Sequence, residues 1–148
     1  MNVYAYVGNN PVRWVDPTGL YWCTYSISSH SMTCTPNTPV YLSFSRSDFV
    51  SGRNGPGCND CQNNLARTDV SDYGPIPFGI YNISGVTSKG RRNLRPNPTN
   101  GRFGFQLHVC PDPATCSWGC IAGPTNTWSQ LNSLLSNEEG NNTLMVVP

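Results

Sequence analysis

Residues 108–120 read HVCPDPATCSWGC. They hold His108, one of two histidines in the chain, and Cys110, Cys116 and Cys120, three of its seven cysteines. A cysteine attacks a carbonyl as its thiolate, so it needs a base or a cation beside it. His108 can be that base if the fold returns Cys120 to it. Gly119 allows a tight turn and a close backbone approach just before the sulfur. Backbone N–H groups over residues 117–120 would then face a developing oxyanion, and Ser117 would hydrogen-bond the pair or the substrate. The same cysteines fit two blander uses. They can staple a loop as disulfides, or bind zinc, since Cys58-x2-Cys61 is half of a ribbon-type site. The second half of that site lacks the usual tight spacing. A redox role for CNDC at Cys58 and Cys61 lacks a surrounding βαβ pattern.

The elements that must position these residues read mostly as strands. In FGFQLHV, Phe103, Phe105 and Leu107 alternate with Gly104, Gln106 and His108, which places His108 on the polar face of a strand. PVYLSFS puts Val40, Leu42 and Phe44 on one face. FGIYNIS over residues 78–84 and TLMVV near the end are two further strands. One helix is predicted in TWSQLNSLLSNEEG, where Trp128, Leu131, Leu134 and Leu135 recur at helical spacing. Thr127 and Gln130 fit a capping box and Gly140 a stop. Tyr21, Trp22 and Tyr25 read as a satellite core, and His30 as exposed and idle. The expected architecture is mainly β, a sandwich or barrel with one packed C-terminal helix.

Composition agrees with this class and excludes others. The chain has 148 residues, suiting one domain with a short appendage. Its 14 glycines and 13 prolines favour short strands and turns. A net charge of +1, with 11% charged residues, supplies no electrostatic footprint for nucleic acid. KGRR over residues 89–92 is the one basic cluster, and it reads as a solvated loop tip. No run of about 18 apolar residues is present, so no membrane-spanning helix is expected. Seven cysteines in a small, weakly charged chain point to an oxidising destination. The first residues, MNVYAYVGNN, have neither the basic nor the apolar region of an ordinary export signal.

Two resemblances sharpen this reading. NVYAYVGNNPVRWVDPTGL, over residues 2–20, resembles the end of the core of rearrangement-hotspot (Rhs) repeat proteins, with their YxYVGNNPV…DPxGL ending. In that family a shell encloses a variable C-terminal toxin and cuts itself near the DPxGL segment. The resemblance implies that Asp16, Pro17, Gly19 and Leu20 form an autocleavage-type segment. It divides the chain into residues 1–20, a remnant of the shell core, and residues 21–148, a toxin domain. It also implies delivery by a specialised secretion machine. The second resemblance starts near residue 44. H…SWGCI, within SG…GPG…GPIPFGIY…RFGFQLHV, is similar to the L,D-transpeptidase signature, and more so to L,D-transpeptidase-like effectors of type VI secretion. Trp118 stands where many members have His, the His-to-Cys interval is shorter, and Ala122 stands where Arg or Asn often follows.

Together these imply a disulfide-stapled domain acting on peptidoglycan stem tetrapeptides in a target-cell periplasm. Cys120 would be the nucleophile and His108 its base, with Ser117 and Gly119 beside them. Water, a D-amino acid or a stem amine would accept the acyl group. Trp118, Arg102 and Tyr73 are candidate substrate contacts, with Arg95 a second candidate for a carboxylate and Ser51 and Gly52 for the groove wall. A cognate immunity protein and the Rhs shell are the implied partners, and no cofactor is called for. With Cys120 as nucleophile, proximity pairs Cys23 with Cys34, Cys58 with Cys61, and Cys110 with Cys116, among many connectivities open to six cysteines. The alternatives are a papain-like peptidase or amidase and a non-catalytic binding module. A papain-like enzyme places its Cys before its His. A nuclease or ADP-ribosyltransferase fits the weak charge poorly.

Overall fold

The computed structural model describes residues 21–148 except 38, 40, 113, 114 and 139–141. Asp16, Pro17, Gly19 and Leu20, with the rest of the expected shell remnant, lie outside the described residues, as do Val40 and Gly140.

Among the described residues nine strands form one sheet in the order β3-β2-β1-β9-β5-β6-β7-β8-β4. β1 (Tyr21–Ser26) and β2 (Ser31–Pro36) make an antiparallel hairpin. Its strict alternation buries Tyr21, Cys23 and Tyr25 opposite Met32 and Cys34. Cys23 and Cys34 are direct cross-strand partners and are joined by a disulfide. β3 (Phe44–Arg46) extends this edge, and β4 (Val50–Ser51) closes the far edge on β8. β5 (Gly79–Val86) and β6 (Arg92–Arg95) form a second hairpin with an irregularity between Ile83 and Val86. β7 (Gln106–Val109) runs antiparallel to β6 and parallel to β8 (Ile121–Gly123). α1 (Thr125–Leu135) follows, and β9 (Asn142–Val147) returns to the middle of the sheet, parallel to β1 and antiparallel to β5.

The mainly β architecture with one packed helix is the one expected. Trp128, Leu131 and Leu135 of α1 bury against one face of the sheet, meeting Tyr21, Tyr25, Ile83, Leu94, Leu107, Ile121 and Leu144 in one cluster. Tyr21 and Tyr25 therefore belong to the main core rather than a satellite, while Trp22 faces solvent. The capping box does not form. The helix starts after Pro124, and Thr127 donates to Asp48 Oδ2 at 2.6 Å. That carboxylate near the helix N-terminus complements the helix dipole. At the other end, Asn142 Nδ2 donates to Leu135 O at 3.1 Å while its Oδ1 accepts from Tyr21 N. One buried amide thus ties the helix end to the β1–β9 seam.

KGRR is not a uniform loop tip. Arg92 is fully buried and donates to Asn132 Oδ1 at 2.8 Å, Ser136 Oγ at 2.8 Å and Ser84 O at 3.1 Å. It bridges the β5–β6 hairpin to the helix, a use of arginine's fork that a lysine would not reproduce. The strand read in PVYLSFS shrinks to Phe44–Arg46, and Leu42 is 81% exposed. No helix among the described residues is long and apolar enough to cross a membrane.

Candidate active site

The parallel β7–β8 pair places His108 and Cys120. Leu107 pairs with Ile121 on the core face, and His108 with Ala122 on the opposite face. Cys120 directly precedes β8, so it comes alongside the histidine strand on that opposite face. A disulfide between Cys110 and Cys116 shortens the connection between the two strands. Behind it, Val50, Cys110 and Ala122 form a small second core with Cys116 packed on it. His108, Cys120, Trp118, Thr115, Cys116 and Arg91 line one open cleft of about 460 Å³.

His108 is 5% exposed. Its Nδ1 lies 2.7 Å from Val109 O. A carbonyl only accepts, so Nδ1 carries the proton and Nε2 keeps its lone pair, the arrangement a general base needs. Burial holds the imidazole below its ordinary pKa, opposed by the Val109 hydrogen bond and assisted by the charge of Arg91. Cys120 is the one free cysteine among the described residues. Burial pushes its thiol above the ordinary value, against the Gln106 backbone hydrogen bond and the charges of Arg91 and Arg102. Both directions favour the neutral thiol and imidazole over a thiolate–imidazolium pair. The thiol lies 4.0 Å from Gly104 O.

The turn before Cys120 is built from both sides. Ser117 is fully buried; it donates to Cys120 O and accepts from Gly52 N at 3.0 Å. Ser117 thus shapes the turn before Cys120. Ser51, also fully buried, donates to Gly119 O at 3.0 Å and accepts from Ile76 N at 2.9 Å. Ser51 and Gly52 brace the turn from behind. Gly119 has φ +92, and a Cβ there would come within 2.4 Å of Arg102 Nη2 and 3.0 Å of Gly74 O. Both the left-handed backbone and the crowding demand glycine.

The sequence offers Arg102 as a substrate contact. It is 8% exposed, and it donates to Thr68 O and Pro75 O at 2.6 Å each and to Gly74 O at 2.8 Å. Its guanidinium also stacks 4.8 Å over the Phe105 ring. The loop carbonyls consume its fork. Arg95 donates to Asn97 Oδ1 at 2.7 Å and is not among the residues lining that cleft. Tyr73 and Trp118 are brought together by Arg53, whose guanidinium lies 4.9 Å from one ring and 4.0 Å from the other. Trp118 is 58% exposed on the cleft rim. Arg53 and Arg91 are the cationic residues of this region that sequence reasoning passed over. Arg91 carried a signal, a basic pair on a hairpin, but nothing local showed that its neighbour Arg92 points inward and leaves Arg91 facing the cleft.

Cys58 and Cys61 also form a disulfide, so all six remaining cysteines pair with their near neighbours. The cysteines of the zinc alternative are thereby taken up, save Cys120. Among the described residues no three His, Cys, Asp or Glu side chains converge as a metal site.

No protein-family model matches the chain, and no curated protein matches it. Solved structures do match. The helical cell shape determining protein Pgp2 from Campylobacter jejuni superposes with a TM-score of 0.55 at 14% identity, over 86% of this chain and 47% of that one. Mycobacterium tuberculosis L,D-transpeptidase 1 gives 0.52 at 14% identity, over 88% and 63%. The chain thus spans about half to under two thirds of the length of these neighbours, and it has the L,D-transpeptidase-like fold.

Proposed function

We propose that residues 21–148 act on peptidoglycan stem tetrapeptides by cysteine acyl transfer, as an L,D-carboxypeptidase or L,D-transpeptidase. The observation that carries the reading is Cys120, free and lining one cleft with a histidine whose tautomer is fixed, on an L,D-transpeptidase-like fold.

The resting pair is neutral, so attack and deprotonation go together. His108 Nε2 takes the thiol proton as Cys120 Sγ bonds to the carbonyl carbon at the L-centre of diaminopimelate. The Cys120 and Gln106 N–H groups, which already offset the burial of the sulfur, serve the developing oxyanion. The C–N bond to D-alanine breaks, and the leaving amine takes its proton from His108. Water, a D-amino acid or a stem amine then attacks the thioester, giving trimming, exchange or a crosslink. The first two products deplete the donors of normal crosslinking, which suits a toxin. Three disulfides fit an extracytoplasmic place of action. Delivery from an Rhs shell by a type VI machine, action in a rival's periplasm and a cognate immunity protein rest on the sequence resemblances.

The test incubates the protein and Cys120→Ala with purified tetrapeptide muropeptides, with and without a D-amino acid, and reads products by mass spectrometry. Loss or exchange of D-alanine by the first protein alone supports the reading and names the acceptor. Unchanged muropeptides with both proteins refute it. Toxicity that survives Cys120→Ala in periplasmic expression would favour a non-catalytic binding module.

A further inference from the structure

The cleft beside Cys120 is lined by a cation, Arg91, that makes no ion pair within 4.0 Å among the described residues. Arg91 lines that cleft together with His108 and Cys120. Its backbone is pinned in the β5–β6 turn, where its N–H donates to Thr87 Oγ1 at 3.2 Å and its carbonyl accepts from Thr87 N at 2.8 Å. Its side chain is oriented by a neutral relay: Nη1 donates to Gln106 Oε1 at 3.3 Å, and Gln106 Nε2 donates to Asn93 Oδ1 at 2.8 Å. The ion pair found among the described residues, Arg67 with Asp60, is elsewhere. The other arginines near the site are engaged. Arg102 is spent on three carbonyls, and Arg53 is held between two rings. Ala122, where the resemblance leads one to expect a polar or cationic residue, brings no charge.

We propose that Arg91 anchors a substrate carboxylate beside Cys120, so that the cleft selects peptides with a free carboxylate next to the scissile bond. This rests on the acyl-transfer reading for its substrate, and on the cleft geometry for its anion. A guanidinium fork fits a carboxylate bidentately, and Arg91 has its remaining donors to offer. The effect of its charge on both Cys120 and His108 places it within electrostatic reach of the reacting atoms.

Two measurements test this. The first needs no turnover. Cys120 is alkylated with iodoacetate and with iodoacetamide in the intact, disulfide-bonded protein, and the ratio of the two rates is compared with that of Arg91→Gln and Arg91→Lys. The anion site predicts that Arg91→Gln lowers the iodoacetate-to-iodoacetamide ratio severalfold while Arg91→Lys retains most of it. An unchanged ratio overturns the proposal whatever the enzyme does. The second uses tetrapeptide stems amidated either on the terminal D-alanine or on the D-centre of diaminopimelate. Arg91→Gln should cost about ten- to a hundredfold in kcat/KM on the free acid, mostly through KM. It should cost little on whichever amide removes the anchored group, which names the carboxylate. An equal loss on all three stems overturns the proposal. If the ratio responds but the wild-type protein turns over none of the stems, the anion site stands and the peptidoglycan reading falls.

Discussion

Replacing Arg102 by Gln separates a structural arginine from a substrate-binding one. Its guanidinium makes three charge-assisted hydrogen bonds, to the carbonyls of Thr68, Pro75 and Gly74, at 2.6, 2.6 and 2.8 Å. Hydrogen bonds to a charged group contribute about 1.5–3 kcal/mol each. They are not additive, and burial already holds the guanidinium below its ordinary pKa, so part of the gain is offset by desolvation. Breaking such a buried set costs about 3–5 kcal/mol. For a chain of this length each kcal/mol moves the melting temperature by about 3–4 °C, so Arg102→Gln should melt about 9–20 °C lower. Arg102→Lys keeps the charge but not the fork and should recover less than half of the loss. Thermal unfolding by circular dichroism, with disulfides intact, reads the shift. Well below its melting point, the folded variant should keep its KM for a carboxylate-bearing stem while kcat falls, because Gly119 packs on this guanidinium. A melting point within about 2 °C of the parent, combined with a large rise in KM, would refute the clamp and return Arg102 to the substrate.

Other expectations follow from the same geometry. The rate of Cys120 alkylation by iodoacetamide should keep rising with pH past the ordinary thiol range, because burial raises this thiol; a plateau below neutrality would show an ion pair instead. Stability should fall with acid through His108. Its folded pKa lies below the unfolded value, so the unfolded chain binds more protons as pH drops from the ordinary histidine range. The contribution is complete above that range and lost as pH falls toward the folded value. Chemical denaturation between about pH 7.5 and 5 should show the slope, and His108→Gln should flatten it. Gly119→Ala should destabilise the fold by about 1–3 kcal/mol and slow alkylation of the displaced thiol, since φ +92 and the 2.4 Å approach to Arg102 leave no room for a methyl group.

Much of this layout can be read along the chain, because it depends on local periodicity. Leu107 and His108 take opposite faces as the alternation predicts, although the strand begins only at Gln106 and Phe103 is exposed rather than on the face of Phe105 and Leu107; Trp128, Leu131 and Leu135 face the core at helical spacing. The near-neighbour disulfides follow from short contour lengths between the cysteines. What could not be read depends on partners distant in sequence. The burial of Arg92 needs Asn132 and Ser136. The engagement of Arg102 needs carbonyls around residues 68–75, which no motif announces. Ser117 reads as a hydrogen-bond partner for the Cys–His pair or the substrate, yet Gly52, from a loop well upstream, makes it a brace. Thr127 is a plausible cap until Asp48 takes its hydroxyl. In each case a polar side chain went to a backbone or side-chain partner brought in by topology, and single-strand patterns carry no record of that.

The central position of β9 bears on the order in which the molecule can be assembled. Asn142–Val147 lies between β1 and β5, and these two strands have no other neighbour joining them in the sheet. Before β9 enters, the described residues offer two separate half-sheets, β3-β2-β1 and β5-β6-β7-β8-β4, with the cleft wholly on the second. The slot between them can be filled only by the last strand in chain order. Because its partners in β1 lie more than a hundred positions away, the closing contacts span nearly the whole described chain. With each half-sheet already paired, and β3 followed three residues later by β4 of the other half, the entropy cost of that final step is set by the short links that remain rather than by the full sequence separation. Insertion of these six residues is what joins the two half-sheets, and a chain lacking it would hold His108 and Cys120 in a half-sheet whose β5 edge is still unpaired.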